Sequence, residues 1–171
     1  VTSEYEQSHD NMKELLAAVE QINMPTLLFW PNIDGGSDGA SMAVRDFIQR
    51  HTLPAISVYK NFNSEDFYRA LNAAAVAVGN SSSFVREASY LGTPIVMVGT
   101  RQQQRERALN IIDVNYERTH IAQAIRNQLS RGRYARSVVY GDGNASSRIA
   151  ETLATIPLPS TQKIFHNRET L

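Results

Sequence analysis

The sequence predicts an α/β fold, a parallel sheet doubly wound by helices, and three observations predict it. Short apolar blocks that do not alternate with polar residues recur at 26–30, 55–58, 75–78 and 95–98, the pattern of strands buried on both faces. Each block runs into a loop rich in Gly, Asn or Ser, and each loop leads to a segment with apolar residues at helical spacing. Strands that alternate with helices in this way pair in parallel, because the intervening helix is the crossover a parallel neighbour requires.

The elements follow in order. A first helix is expected over 8–22, where Leu15, Leu16, Val19 and Ile22 share a face, the polar Ser8, His9, Asp10 and Asn11 lead in, and Pro25 stops it. Strand 26–30 runs into a turn-rich loop over 31–39, and Ala43, Val44, Phe47 and Ile48 give the next helix its apolar face. After Pro54 the unit repeats as strand 55–58, loop 59–64 and helix 65–73, with Ser64 as N-cap. Strand 75–78 stops at Gly79-Asn80-Ser81-Ser82-Ser83, a helix covers 84–91, and Gly92-Thr93-Pro94 closes it. Strand 95–98 leads through Gly99-Thr100-Arg101 to a polar helix start near Gln104. A weaker strand over 112–114, a helix over 119–129 and, behind Gly141-Asp142-Gly143-Asn144, a last helix over 145–155 complete the pattern. One domain over 1–156 and an extended, Pro/Ser/Thr-rich tail over 157–171 are expected.

Composition removes several classes of function. Seventeen Lys and Arg balance 17 Asp and Glu, so no global basic field holds nucleic acid or an anionic membrane, and any anion is bound locally. No apolar run approaches the roughly 18 residues of a membrane span, no signal peptide opens the chain, and the expected location is the cytoplasm. The absence of cysteine removes disulfides, thiolate metal sites and cysteine nucleophiles. His9, His51, His120 and His166 lack metal-site spacing, so no metal and no cofactor are expected. Dinucleotide GxGxxG, P-loop and GxSxG patterns are missing. The chain opens on Val1 and enters a helix within a few residues, which reads as a piece of a longer protein.

In an open parallel sheet, ligands bind beyond the carboxyl ends of the strands. Gly79-Asn80-Ser81-Ser82-Ser83 joins a glycine for a tight exit to three hydroxyls and the N–H groups at a helix mouth, a phosphate cradle; the plainer reading is that Ser81 only caps the helix. Glu87, four residues past Ser83, either turns a carboxylate toward sugar hydroxyls or is a solvated first-turn acid. Arg101, Arg105 and Arg107 cluster after the fourth strand. Their guanidinium forks suit a diphosphate, while a solvated helix face accounts for Arg107 equally well. Asn32 and Asp34, after the first strand, either bond a ligand or make Asx turns. The close carboxylate pair Glu65 and Asp66 belongs in a helix's first turn, and no catalytic residue is assigned.

Taken in order, Pro31-Asn32-Ile33-Asp34-Gly35-Gly36-Ser37, Val78-Gly79-Asn80-Ser81-Ser82-Ser83-Phe84-Val85-Arg86-Glu87, Leu91-Gly92-Thr93-Pro94, Gly99-Thr100-Arg101-Gln102 with Arg105-Glu106, and Tyr140-Gly141-Asp142-Gly143-Asn144-Ala145 form a recognisable set. It resembles the carboxy-terminal half of UDP-N-acetylglucosamine 2-epimerases over roughly residues 1–156, with its GNSS and GTRQ wording nearest the hydrolysing branch that feeds sialic-acid synthesis. The resemblance implies a glycosyltransferase-B-like enzyme in which two Rossmann-like domains close over a UDP-sugar. This chain would be the UDP-holding domain, with the amino-terminal catalytic domain absent and a family histidine falling just upstream of Val1. Ser81 and Ser82 would hold the diphosphate and Glu87 the ribose hydroxyls, with Arg101 and Asn32 on the diphosphate or sugar side. The segment 59–67 corresponds to the family's uracil loop, with Phe62 and Phe67 as apolar walls. Its Lys60-Asn61-Phe62-Asn63 departs from the commoner proline-containing wording, and Phe67 also reads as a core aromatic.

The implied chemistry is elimination of UDP to a 2-acetamidoglucal, followed in the hydrolysing branch by water addition that releases N-acetylmannosamine. UDP and UDP-N-acetylglucosamine are the implied ligands, the missing amino-terminal domain is the implied partner, and a homo-oligomer is left open. The fragment alone is expected to bind UDP weakly and turn nothing over. The alternatives are a non-hydrolysing epimerase or diacetamido-sugar relative, a glycosyltransferase-B donor domain, and, from another class, a non-catalytic nucleotide-binding module.

Overall fold

A computed structural model describes residues 4–33, 35–50 and 55–157. Its most buried strand is β4, Ile95–Val98, whose four side chains are wholly enclosed. Val96 and Val98 point to one face, where Ala18 of α1 (Ser8–Ile22) and Ile121, Ala122 and Ile125 of α6 (Arg118–Arg131) cover them. Ile95 and Met97 point to the other, onto Leu71 of α3 (Ser64–Ala73), Val85 of α4 (Ser82–Val85) and Ala88 of α5 (Glu87–Leu91). Two opposed apolar faces explain why this strand reads as a continuous run rather than an alternation.

The remaining strands are β1 (Thr26–Phe29), β2 (Ile56–Tyr59), β3 (Ala77–Gly79) and β5 (Ile111–Val114), with α2 at Ser37–Arg50 and α7 at Ala145–Thr155. Among the described residues all ladders are parallel, as predicted, but the hydrogen bonds make two sheets, β1 with β2 and β3-β4-β5, instead of one. Side chains span the division. Leu16 of α1 packs with Leu28, Trp30 and Ile56, while its neighbour Ala18 packs under β4. On the other side Phe67 of α3 meets the Phe29 ring at 5.8 Å and also joins the Leu71, Ile95 and Met97 cluster.

Several predicted boundaries change for local reasons. Helix α2 starts at Ser37 and so takes in Gly39, predicted as loop; α1 passes so close that a Cβ there would overlap Ser8 Oγ and lie 3.1 Å from the His9 nitrogen. Ile48, predicted on the apolar face of α2, is 41% exposed, and Ala40 replaces it among the buried residues. The N-cap of α3 is Asn63, not Ser64: its Oδ1 accepts from the Asp66 N–H at 2.8 Å. The helix predicted over 84–91 begins at Ser82 and is interrupted at Arg86. No helix starts near Gln104; hydrogen-bonded turns from Gln103 to Thr100 and from Arg105 to Gln102 fill that stretch. Strands β2 and β3 begin one and two residues later than predicted. The predicted tail beyond Pro157 lies outside the described residues.

Packing separates Val1–Tyr140 from Gly141–Leu171 as two compact units. In the second, Asp142 pairs with Arg148 at 2.9 and 3.0 Å and accepts from the Asn144 N–H at 3.0 Å. The guanidinium holds the Asp142 carboxyl well below the usual carboxylate range.

In the first unit, α6 has no side-chain cap of its own, and α1 supplies one. Glu14 accepts from the Arg118 backbone N–H at 3.0 Å and from its guanidinium at 2.7 and 3.2 Å. The side-chain bond from Arg118 lowers the Glu14 carboxyl below its ordinary value of 4.5. A depressed carboxyl stabilises the fold above its unfolded value and loses that contribution as pH falls through the folded one. The difference in melting temperature between the parent and Glu14→Gln is therefore expected to be full at pH 6 and to shrink as pH drops below 4.5. A difference independent of pH would show that the charge does not tie α1 to α6.

Candidate functional site

The loops leaving β3, β4 and β5 lie together at the carboxyl edge of the three-stranded sheet, because those strands are parallel and in register, Gly79 opposite Met97 and Met97 opposite Asp113. The first turns out of β3 through Gly79, whose φ of +143° favours glycine. Ser81 then caps α4, its Oγ accepting from the Ser83 N–H at 3.3 Å. That is the plainer of its two predicted roles, and it leaves the Ser81 hydroxyl proton free to donate. Ser82 opens the helix, and its hydroxyl makes no hydrogen bond among the described residues.

Glu87 begins α5 with its side chain mostly enclosed. Oε1 stands 4.0 Å from the Arg86 guanidinium. Oε2 is shut away from solvent with no hydrogen-bond partner among the described residues, a costly state for a carboxylate oxygen unless a donor arrives. Of the three predicted arginines, Arg101 is half-buried on the loop after β4, whereas Arg107 is spent on Asp113, bonding it at 3.1 Å through both Nε and Nη2. Arg107 thus braces β5 and is neither on a helix face nor part of a free cationic cluster.

Four residues that sequence reasoning did not assign knit these loops together. Asn80 Nδ2 donates to the Tyr116 hydroxyl at 3.1 Å. Gln102, only 3% exposed, donates from Nε2 to the Asn80 carbonyl at 3.0 Å. Glu4 accepts from the Thr100 N–H at 3.0 Å and its hydroxyl at 2.8 Å. Gly99, at φ +80°, has no room for a side chain between the Tyr116 ring and Glu4 Oε2. Burial first, then the Glu4 carboxylate, push the Tyr116 phenol above its ordinary 10.0, while Asn80's bond and Arg101's charge oppose this. Only the polar wording of GNSS and GTRQ pointed to Asn80 and Gln102; nothing local marks Glu4 or Tyr116.

At the ends of β1 and β2, Phe62 stacks edge-on between Phe29 at 4.9 Å and Tyr59 at 4.8 Å. Asn61 caps the same turn, its Oδ1 accepting from the Phe62 N–H at 2.9 Å. Phe67 packs inward with the core, and Asn32 is exposed on the loop after β1. Asp34 lies outside the described residues. A shallow cleft of about 280 Å³ opens beside β5, lined by Gly99, Gln103, Asp113, Val114, Asn115 and His120, and none of the predicted site residues lines it. Among the described residues no group of three or more His, Asp or Glu side chains is placed to hold a metal ion, and no helix is long and apolar enough to cross a membrane.

A family model described as UDP-N-acetylglucosamine 2-epimerase matches residues 1–154. Among curated proteins, the chain is 31% identical over 160 residues to a UDP-N,N'-diacetylbacillosamine 2-epimerase (hydrolyzing) from Legionella pneumophila, covering 94% of this chain and 42% of the relative. It is 26% identical to a UDP-N-acetylglucosamine 2-epimerase from Neisseria meningitidis, over 96% of this chain and 42% of the relative. It is also 29% identical to polysialic acid biosynthesis protein P7 of Escherichia coli, over 80% of this chain and 34% of that protein. The chain thus spans less than half the length of the curated relatives it matches.

Proposed function

Since the chain belongs to the UDP-N-acetylglucosamine 2-epimerase family, we propose that it is the UDP-holding, Rossmann-like half of a hydrolysing 2-epimerase, one half of a glycosyltransferase-B arrangement. The observation that carries this reading is the pairing of the 81–83 serine turn with Arg101 on adjacent strand ends. Ser81 donates its remaining proton, and Ser82 its hydroxyl, to the diphosphate; Arg101 neutralises the charge that grows there as UDP departs. Glu87 accepts from the ribose hydroxyls through Oε1, the carboxylate oxygen that is not enclosed. Phe62, held by Phe29 and Tyr59, is a wall for uracil, Phe67 supports Phe29 from the core, and Asn32 faces the diphosphate or sugar.

The reaction proposed for the whole enzyme breaks the anomeric C–O bond and removes the C2 proton, so that UDP leaves and a glycal remains. Water then adds to give the free 2-epimeric sugar. The residues that move protons are proposed to come from the part of the relatives this chain does not cover, and the fragment alone is expected to be inactive. Names containing "hydrolyzing" among the relatives support the hydrolytic outcome. The Legionella relative favours a second reading, a diacetamido sugar in place of N-acetylglucosamine. Product analysis of a protein containing the remaining half separates free sugar from UDP-sugar.

Calorimetric titration of this chain with UDP, with AMP as control, tests the site. UDP is expected to bind selectively. Ser82→Ala is expected to weaken it by about 1.5–3 kcal/mol, roughly ten- to a hundredfold, the worth of a hydrogen bond to a charged group. Because the cap belongs to Ser81, this change leaves the helix start intact. A non-catalytic module with a mere helix cap predicts equal affinities for parent and Ser82→Ala, and that result would reject the proposal.

A further inference from the structure

Arg101 is a long, flexible side chain, yet its backbone is anchored on both sides. Thr100 before it is bound twice by Glu4, and Gln102 after it is bound to the Asn80 carbonyl, one residue before Ser81. Asn80 is in turn tied to Tyr116, whose ring fills the space a side chain would need at Gly99. The loops after β3, β4 and β5 are thereby joined through Asn80, Gln102 and Tyr116.

Gln102 is the revealing member. It is 3% exposed, and its Oε1 is enclosed with no hydrogen-bond partner among the described residues. A buried acceptor left unpaired is a cost that an apolar side chain of similar shape avoids. Core packing alone therefore does not account for a glutamine here, and the bond from Nε2 to the Asn80 carbonyl does.

We propose that Gln102, with Asn80 and Tyr116, is a positioning residue that fixes the separation of Arg101 from the Ser81 and Ser82 cradle without touching the ligand. The inference rests on the UDP reading above and adds to it the device that sets the diphosphate-binding geometry. Its consequence is selective: loosening the tie costs the phosphate contacts, which need both loops at once, and spares the nucleoside contacts, which do not.

Ligand-observed NMR titrations of the 171-residue chain with UDP and with uridine test this on the parent, Gln102→Met and Tyr116→Phe. Gln102→Met keeps the length and removes the donor; Tyr116→Phe keeps the ring under Gly99 and removes the hydroxyl. The ratio of UDP to uridine affinity is expected to fall roughly five- to tenfold in Gln102→Met, and by less in Tyr116→Phe, with uridine affinity held. A purely structural role lowers the melting temperature and leaves the ratio unchanged, and that result overturns the positioning role while the UDP site stands. A parent chain that binds no UDP overturns the site and this inference together. Should Gln102→Met fail to fold, Tyr116→Phe decides the question by the same ratio.

Discussion

Replacing Gln128 by leucine is expected to lower the unfolding free energy by about 3–5 kcal/mol. Gln128 is wholly buried on α6 and serves three partners: Nε2 donates to the Ile95 carbonyl at 2.7 Å and the Asn110 carbonyl at 2.9 Å, and Oε1 accepts from the Tyr134 hydroxyl at 2.7 Å. Asn110, itself buried, donates to the Thr93 and Ala88 carbonyls at 2.7 and 3.2 Å, and Thr93 donates to the Leu71 carbonyl at 2.9 Å. This polar group closes the amino-terminal ends of β4 and β5, opposite the loops that carry the candidate site. Leucine fills a similar volume and leaves the partners without Gln128, each a penalty of about 1–3 kcal/mol where nothing replaces it. Urea denaturation of parent and variant measures the difference, and a loss under about 1 kcal/mol would show that the network does not hold the sheet end.

Gly92→Ala is expected to cost about 3 kcal/mol or more, and Gly132→Ala distinctly less. Both glycines have positive φ, Gly92 in the left-handed helical region (φ +70°, ψ 19°) and Gly132 in an extended region reserved for glycine (φ +73°, ψ −164°), so each substitution carries a backbone penalty of its own, roughly 1–3 kcal/mol. They differ in room. A Cβ on Gly92 would overlap the Tyr134 carbonyl oxygen and lie 3.1 Å from its carbon, while one on Gly132 meets nothing within 4 Å. The Tyr134 backbone is also bound to Gly92, its N–H donating to the Gly92 carbonyl at 3.0 Å, so the obstructing atoms have no side-chain freedom with which to yield. A Gly92→Ala loss of only about 1–2 kcal/mol, the left-handed penalty by itself, would mean that conformation alone, and not the docking of residue 134, requires glycine at the end of α5.

The features legible in the sequence are those written over a few neighbouring residues. Helices α1 and α7 fall on the predicted residues, and so does β4, because periodicity and stop residues act locally. The loops at the carboxyl ends were recognisable because a turn, a cap and a phosphate cradle all use Gly, Asn and Ser in sequence. Of the two readings of Phe67, packing chose the core; the cap expected at Ser64 fell to Asn63, whose side chain reached the Asp66 N–H, and Arg107 took neither expected role but found Asp113 across a loop.

By itself the sequence determined the α/β order, the parallel strands, the membership of the epimerase family and the loops on which the candidate residues sit. Only the tertiary structure decided which side chains hold those loops, and the strands and helices beneath them, in place. Gln102 bonds Asn80 across 22 positions, Gln128 bonds Ile95 across 33, and Glu14 bonds Arg118 across 104. The physical reason is that a hydrogen bond between distant segments has no period and no spacing in the chain. It becomes visible when burial brings the donor and acceptor together, where leaving either unpaired would be costly.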